Sequence, residues 1–165
     1  MIKARAPIKQ NKDPVMPVDP AVTFGACHCF AVRAAARHVT QFYDQLLAST
    51  GLRATQFTIL ATLHAQGPLS INSLASVIVM DRTTLGRNIL PLQRKGLIKI
   101  ERGASDRRAK ELRLTRAGAK RLQAAVRGWE QAQAQLEDTI GGKRTAALRA
   151  MLWAVATAEL VPNRA

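Results

Sequence analysis

The amino-acid sequence predicts a single, mainly helical domain with one small β-hairpin. Three observations support this prediction. The chain has 165 residues, enough to bury one hydrophobic core. Apolar residues recur every three or four positions through most of the chain, as they do on one face of an α-helix. The period changes to two around residues 98–101 and 111–114, where apolar and charged residues alternate as in paired strands.

Two longer helices are predicted in the first part of the chain. The first covers about residues 22–50 and ends at Gly51. Its apolar face consists of residues spaced mostly three or four apart: Cys29, Val32, Ala36, Val39, Phe42, Tyr43 and Leu46. The second covers residues 55–65 and stops at Gly67 and Pro68, a pair that interrupts helices.

Two shorter helices follow, joined by a tight turn. Ser70 and Asp81 are residue types that cap helix N-termini, so we predict helices over about residues 71–78 and 82–95. Leu74 and either Val77 or Ile78 are expected to be buried by the first of them. Two short helices with this spacing form a helix-turn-helix pattern.

Pro91 lies inside the second short helix. Because proline has no backbone N–H, we expect one missing hydrogen bond and a kink there. The kink falls beyond the first two turns and is expected to direct the second half of the helix into the core, through Leu90, Leu92 and Leu97.

The hairpin and two C-terminal helices complete the prediction. Residues 103–106 are the turn that joins the two strands. Thr115 is expected to cap a long helix over residues 116–140. Gly141 and Gly142 break the pattern, and a last helix is predicted over residues 143–161, with Leu148, Met151, Leu152 and Val155 on its apolar face.

Positive charge is concentrated in one part of the chain. The net charge is +14, and residues 81–121 contain 13 Lys and Arg residues but only four Asp and Glu residues. Six basic residues lie in the segment "ERGASDRRAKELRLTRAG" alone: Arg102, Arg107, Arg108, Lys110, Arg113 and Arg116. General solubility would be served by a more even distribution, so the clustering favours a polyanionic partner.

A helix-turn-helix followed by a basic hairpin predicts a winged helix that binds double-stranded DNA. A helix fits the major groove, and a thin hairpin reaches the backbone or the minor groove. The first two turns of the helix capped by Asp81 present side chains suited to bases and phosphates: Arg82, Thr83, Thr84, Arg87 and Asn88. The alternative is an ordinary solvated helix face, which the adjacent cationic hairpin disfavours.

The segment "INSLASVIVMDRTTLGRNILPLQRKGLIKIERGASDRRAKELRLTRAG" resembles the core of the MarR family of dimeric bacterial transcription regulators. The strongest marks are "RKGLI", the pair Asp106-x-Arg108 and "LTRAG". The resemblance implies a winged helix-turn-helix dimer on a pseudo-palindromic operator. It also implies that Arg108 enters the minor groove while Asp106 positions it, and we include Arg107 among the predicted DNA contacts.

The resemblance also implies a domain organisation. Residues 1–20, which are rich in proline and basic residues, form a flexible arm that lies outside it. Residues 21–165 form one domain with a winged-helix lobe at about residues 53–115. The N- and C-terminal helices, about residues 22–50 and 116–161, make the dimer, and a small-molecule pocket lies between them and the lobes. Trp129 and Trp153 are interpreted as interface packing.

The segment "CHCFAVRAAARHVTQFY" resembles the first helix of the organic-hydroperoxide-sensing branch of the family, OhrR. Cys29 matches the reactive cysteine and Tyr43 one supporting tyrosine, whereas Ala54 occupies the position of the second tyrosine. Fourteen helical residues rise about 21 Å, so Cys29 and Tyr43 would meet across two antiparallel copies rather than within one straight helix. Cys27 is a candidate partner for oxidised Cys29.

Other interpretations of this segment stay open. Cys29 also fits a small apolar residue packed in a dimer interface. A metal site at Cys27, His28 and Cys29 is disfavoured, because successive helical residues point about 100° apart and cannot chelate one ion. We therefore predict no metal and no cofactor.

The leading function is a sequence-specific regulator, most simply a repressor released by a small molecule or by oxidation of Cys29. The alternatives are a thiol-dependent peroxidase and a non-specific architectural DNA-binding protein. The sequence shows no phosphate-binding loop and no paired carboxylates, so we predict no enzyme activity. It has no apolar run long enough to span a membrane and no secretory signal, so we expect a cytoplasmic protein.

Overall fold

A computed structural model describes residues 26–102 and 110–160. Its elements are α1 (His28–Leu47), a 3-10 turn (Ala48–Thr50), α2 (Ala54–Gln66), β1 (Leu69–Ser70), α3 (Ile71–Val77), α4 (Arg82–Arg94), β2 (Ile98–Arg102), β3 (Lys110–Leu114), α5 (Arg116–Ile140) and α6 (Gly142–Thr157). The chain divides into two units, Met1–Arg37 and His38–Ala165, and the buried core lies in the second. The mainly helical prediction with a hairpin is confirmed.

The three predicted N-caps are all present. The side-chain oxygens of Ser70, Asp81 and Thr115 accept hydrogen bonds from the backbone N–H three residues further on, over 3.0, 2.8 and 3.0 Å. Each bond satisfies one of the N–H groups that a helix leaves without a partner at its start. The local sequence thereby fixes where α3, α4 and α5 begin.

The ends of the outer helices differ from the prediction. Within the described residues, α1 begins at His28, while residues 22–25 lie outside them. The last helix ends at Thr157 instead of residue 161, because Ala158 has extended backbone angles. No helix in the described ranges is both long and apolar enough to cross a membrane.

The sheet has three antiparallel strands in the order β1-β3-β2. The predicted hairpin pairs Ile98 with Leu114 and Ile100 with Leu112. The additional strand β1 was not predicted, since two residues are too few to show a period of two. It places Leu69 opposite Leu112, which is fully buried, and so joins the segment before α3 to the hairpin.

The inward face of α4 corrects one prediction. Leu85, Ile89 and Leu92 are buried, as is Leu97 after the helix, but Leu90 is 50% exposed. The buried residues are four and three positions apart, so they share one face, and Leu90 points about 100° away from Ile89. The helix continues through Pro91 to Arg94, so the proline does not turn Leu90 inward.

The structure places two apolar positions whose role the sequence left open. Val77 is exposed whereas Ile78 is half-buried against the core, which decides between the two candidates on α3. Trp129 stacks on Phe57 of the same chain, with ring centroids 5.9 Å apart, so it has a packing partner within the single chain. Trp153, in contrast, is 55% exposed.

Helix α5 makes two close backbone approaches through glycine. A Cβ on Gly118 would lie 2.0 Å from the carbonyl oxygen of Leu97, and a Cβ on Gly128 would lie 2.5 Å from that of Leu46. Real Cβ atoms do not approach so closely. A helix that packs at this distance on the base of the hairpin and on α1 therefore requires glycine at both positions.

We expect Gly118→Ala to destabilise the fold by about 1–3 kcal/mol, because α5 must move away from the Leu97 backbone to make room for the methyl group. Gly86→Ala on α4 is the matched control, since nothing lies within 4 Å of its added Cβ. Alanine is the better helix former, so the control is expected to be neutral or up to about 1 kcal/mol more stable. Urea unfolding measures both, and equal effects would contradict the close-approach argument.

Candidate functional site

The helix-turn-helix is formed by α3, a four-residue turn and α4. Hydrogen bonds from the backbone N–H groups of Ile78, Val79 and Met80 back to α3 close the turn over 2.9–3.2 Å. Val79 has a φ of 51°, an unusual conformation for a β-branched residue. The turn thus reverses the chain within a few residues and brings the start of α4 to the surface.

The predicted reading residues on α4 are mostly exposed. Arg82, Thr83, Thr84 and Arg87 are exposed, and Asn88 is half-buried, with its Nδ2 donating to the carbonyl oxygen of Thr84 over 2.9 Å. The opposite face of the helix carries its buried residues. The side chains of Arg82, Thr83 and Arg87 are therefore exposed towards a partner, while the Thr84 hydroxyl bonds Asp81 and one Asn donor is used within the helix.

Asp81 stabilises the start of α4 as a charged cap. Hydrogen bonds from the side chain and backbone of Thr84 hold the pKa of the Asp81 carboxyl below its usual value. A carboxylate also interacts favourably with the positive end of the helix dipole. The Asp81 carboxylate, which directly precedes the cationic face of α4, therefore stabilises the first turn of that helix.

At the base of the hairpin, two acidic residues form ion pairs with basic residues of the same two strands. Glu101 lies 2.5 Å from the Nζ of Lys99 and 3.2 Å from the Nε of Arg113, and Glu111 lies 3.7 Å from the Nη2 of Arg113. Asp106, Arg107 and Arg108 lie outside the described residues. Two of the three acids in this segment are thus paired with cations in the sheet.

Cys27 and Cys29 lie in the first unit at the start of α1. Both are exposed, and the Sγ of Cys27 accepts a hydrogen bond from the backbone N–H of Phe30 over 3.4 Å. Cys29 is the second residue of α1, in its first turn as predicted. Among the described residues, no cluster of three His, Cys, Asp or Glu side chains is arranged to hold a metal ion.

Tyr43 is placed by an interaction that the sequence did not indicate. Its hydroxyl donates a hydrogen bond to the Oε1 of Gln133 on α5, 90 residues away in the chain. Burial raises the pKa of the Tyr43 hydroxyl, nearby Glu137 raises it further, and Arg149 opposes them. Tyr43 is therefore a neutral hydrogen-bond donor that links α1 to α5.

Two cavities open beside this hydrogen bond. Cavity A, about 290 Å³, lies among α1, α2 and α5, and its lining residues are Tyr43, Leu47, Ala54, Phe57, Thr58, Ala61, Thr62 and Trp129. Cavity B, about 430 Å³, lies among α1, the helix-turn-helix turn, α5 and α6. Its lining residues are Val39, Ile78, Val79, Gln133, Leu136, Thr145, Leu148, Arg149, Leu152, Trp153 and Ala156. Cavity B therefore connects the turn before α4 to the C-terminal helices.

The end of α1 is tied to the lobe by two cations. The Nζ of Lys95, directly after α4, donates to the carbonyl oxygen of Gly51 over 3.1 Å, and the Nη1 of Arg121 on α5 donates to that of Thr50 over 2.6 Å. In the sequence, both cations belong to the basic region of residues 81–121. Their partners are far away in the chain, so no local pattern could identify them.

Comparisons with known proteins agree with this geometry. The family model described as the MarR family matches residues 52–110. The chain is 35% identical to the transcriptional regulator MosR of M. tuberculosis, over 81% of this chain and 98% of that chain, with a TM-score of 0.70. A structure of MosR in complex with DNA gives 34% identity, 80% and 99% coverage and a TM-score of 0.66. The organic hydroperoxide resistance transcriptional regulator of Bacillus subtilis is 28% identical over 98 residues, 59% of this chain and 67% of that protein.

Proposed function

The chain belongs to the MarR family of DNA-binding transcriptional regulators, and we propose that it acts as a repressor on a pseudo-palindromic operator. The observation that carries the proposal is the exposed, cationic first half of α4, capped by Asp81 and packed against the strand that leads into the basic hairpin. Arg82, Thr83, Thr84 and Arg87 read the major groove. The hairpin tip, with Arg107, Arg108 and Asp106, contacts the minor groove. The likeness to MosR, for which a DNA complex exists, supports this assignment.

The proposal includes a homodimer, because a two-fold operator needs two recognition helices about 34 Å apart. Helix α6 supports it, since one chain leaves its large apolar side chains exposed: Leu148, Met151, Leu152, Trp153 and Val155, between 38% and 60%. Apolar residues concentrated on one exposed helix are typical of a protein interface. A second copy of the chain would cover the side of α6 that carries Met151 and Val155.

We expect Met151→Glu to convert the dimer into a folded monomer, because the charge enters the interface but leaves the single chain's core untouched. Sedimentation velocity at micromolar concentration measures the mass, and circular dichroism checks the helix content. Lys143→Glu, which places the same charge on the first turn of α6, is the control. A wild-type protein that sediments as a stable folded monomer would contradict the dimer.

Arg108→Ala is expected to weaken operator binding by about 1–3 kcal/mol without unfolding the protein, because an arginine in the minor groove contributes about this much. Arg87→Ala is expected to act differently, by relaxing the base preference at one operator position. Competition binding against operator variants and random DNA, at physiological salt, distinguishes the loss of affinity in Arg108→Ala from the relaxed base preference in Arg87→Ala. Unchanged affinity in Arg108→Ala would remove the hairpin from the mechanism, and equal affinity for random DNA would favour an architectural protein.

The regulating signal is a small molecule or the oxidation of Cys29. The organic hydroperoxide resistance regulator among the relatives supports the second route. A hydroperoxide would transfer one oxygen atom to the Cys29 thiol, giving a sulfenic acid and an alcohol. The Cys27 thiol would then condense with the sulfenic acid to a disulfide and release water. Such a short disulfide would be strained on a continuous helix, so it would unwind the start of α1 or bridge two chains.

If Cys29 is the sensor, mild organic hydroperoxide should lower the operator affinity of the wild type and leave Cys29→Ser unaffected. Band-shift titrations of both proteins, with and without the peroxide, measure this. If both proteins respond alike, or neither does, Cys29 is a packing residue and a small molecule is the signal. Sustained peroxide consumption in the presence of a thiol reductant, beyond one equivalent per thiol, would instead indicate a peroxidase.

A further inference from the structure

Cavities A and B lie one after the other between α1 and α5. On α1, Val39 lines cavity B, Tyr43 and Leu47 line cavity A, and the three are spaced four residues apart on one face. On α5, Trp129 lines cavity A, and Gln133, one turn further on, lines cavity B. Leu46 lies against Gly128 and Tyr43 bonds to Gln133, so along this seam the two helices run antiparallel.

The Tyr43–Gln133 hydrogen bond is the boundary between the cavities. Tyr43 belongs to the wall of cavity A and Gln133 to the wall of cavity B, and the bond joins them across the seam. The close approach of Gly128 to the backbone of Leu46 fixes the spacing of α1 and α5 next to cavity A. The backbones of α1 and α5 are therefore packed closely next to cavity A, and the Tyr43–Gln133 hydrogen bond is a side-chain contact that can break and re-form without moving them.

The lining of cavity B selects an amphipathic anion. Its walls are mostly apolar, with Gln133 and Thr145 as neutral polar groups, Arg149 as the one charged group and no acid. Glu137 and Arg149 both act electrostatically on the Tyr43 hydroxyl, with opposite sign, and of the two only Arg149 lines cavity B. A carboxylate held by Arg149 would therefore lie beside the boundary, with its apolar part either in cavity B or directed towards cavity A.

We propose that the Tyr43–Gln133 pair determines the length of the effector, confining amphipathic carboxylates to cavity B and admitting longer ones into cavity A only when the bond breaks. This rests on the proposed function, in which a small molecule regulates DNA binding. Ligand pockets typically measure about 300–1,000 Å³, so cavity B alone suits a small carboxylate. The joined space suits one with a longer acyl chain.

The two tryptophans of the chain give each cavity its own reporter, because Trp129 lines cavity A and Trp153 lines cavity B. The probes are straight-chain alkanoates from hexanoate to hexadecanoate that carry a terminal bromine, which quenches a neighbouring tryptophan. Single-reporter proteins, Trp129→Phe and Trp153→Phe, then show which cavity holds the end of the chain. The matching bromoalkanols, which lack the carboxylate, test the role of Arg149.

In the wild type, short bromoalkanoates should quench Trp153, and affinity should stop rising once the chain outgrows cavity B. Gln133→Ala should bind the longer probes about five- to tenfold more tightly, because no hydrogen bond has to be broken, and their bromine should quench Trp129. Affinity for the shortest probes should change less than twofold. Gln135→Ala, the same substitution at an exposed position of α5, should keep the wild-type length profile.

Tyr43→Phe gives an independent test, since it removes the hydroxyl and keeps the ring. The proposal is overturned if long probes already quench Trp129 in the wild type with undiminished affinity. It is also overturned if Gln133→Ala and Tyr43→Phe both keep the wild-type length profile, or if no probe binds. Operator binding by the wild type without a probe tests the proposed function separately, so the two failures are distinguishable.

Discussion

The close packing of α5 is the constraint on which the rest of the structure depends. Gly118 lets the helix approach the Leu97 backbone at the base of the hairpin, and Gly128 lets it approach the Leu46 backbone at the end of α1. One rigid helix therefore sets both the position of the hairpin and the spacing of α1. Any larger side chain at either glycine would separate elements that the cavities and the DNA-reading surface require together.

The cations after α4 and on α5 extend this constraint to the recognition helix. Lys95 and Arg121 donate to the last carbonyl oxygens of the turn that ends α1, groups that a helix leaves without partners. A displacement of α1 at this end therefore acts on α4 through Lys95 and on α5 through Arg121. Cavity B, which contacts the turn before α4, reaches the same helix from its other end. An effector that repositions α1 or α6 has two physical routes to the reading surface.

The sequence predicted those parts of the fold that are encoded locally. Ser70, Asp81 and Thr115 cap their own helices, and alternation over four residues defines each hairpin strand, so short windows were sufficient. It did not predict the two-residue strand β1 or the exposure of Leu90, because pairing and facing depend on distant partners. The Tyr43–Gln133 hydrogen bond could not be predicted for the same reason, because its two residues are 90 positions apart in the chain. The exposed residues proposed to read DNA were predicted from their position after a cap, and they stay a prediction. The resemblance implied a pocket between the dimer helices and the lobes, but the residues that line the cavities had no sequence signal.

The basic residues between positions 81 and 121 have two roles: some stabilise the fold, and the others remain available to contact DNA. Of the 13 Lys and Arg residues between positions 81 and 121, at least four already serve the fold: Lys95 and Arg121 bind carbonyl oxygens, and Lys99 and Arg113 pair with Glu101. Cations held in this way release few counterions when DNA binds. The salt dependence of operator affinity, which scales with the number of phosphates neutralised, must therefore be shallower than the count of basic residues suggests. In the proposed binding mode, the cations left for DNA are those on the exposed face of α4, Arg82 and Arg87, together with the basic residues in the sequence of the hairpin segment.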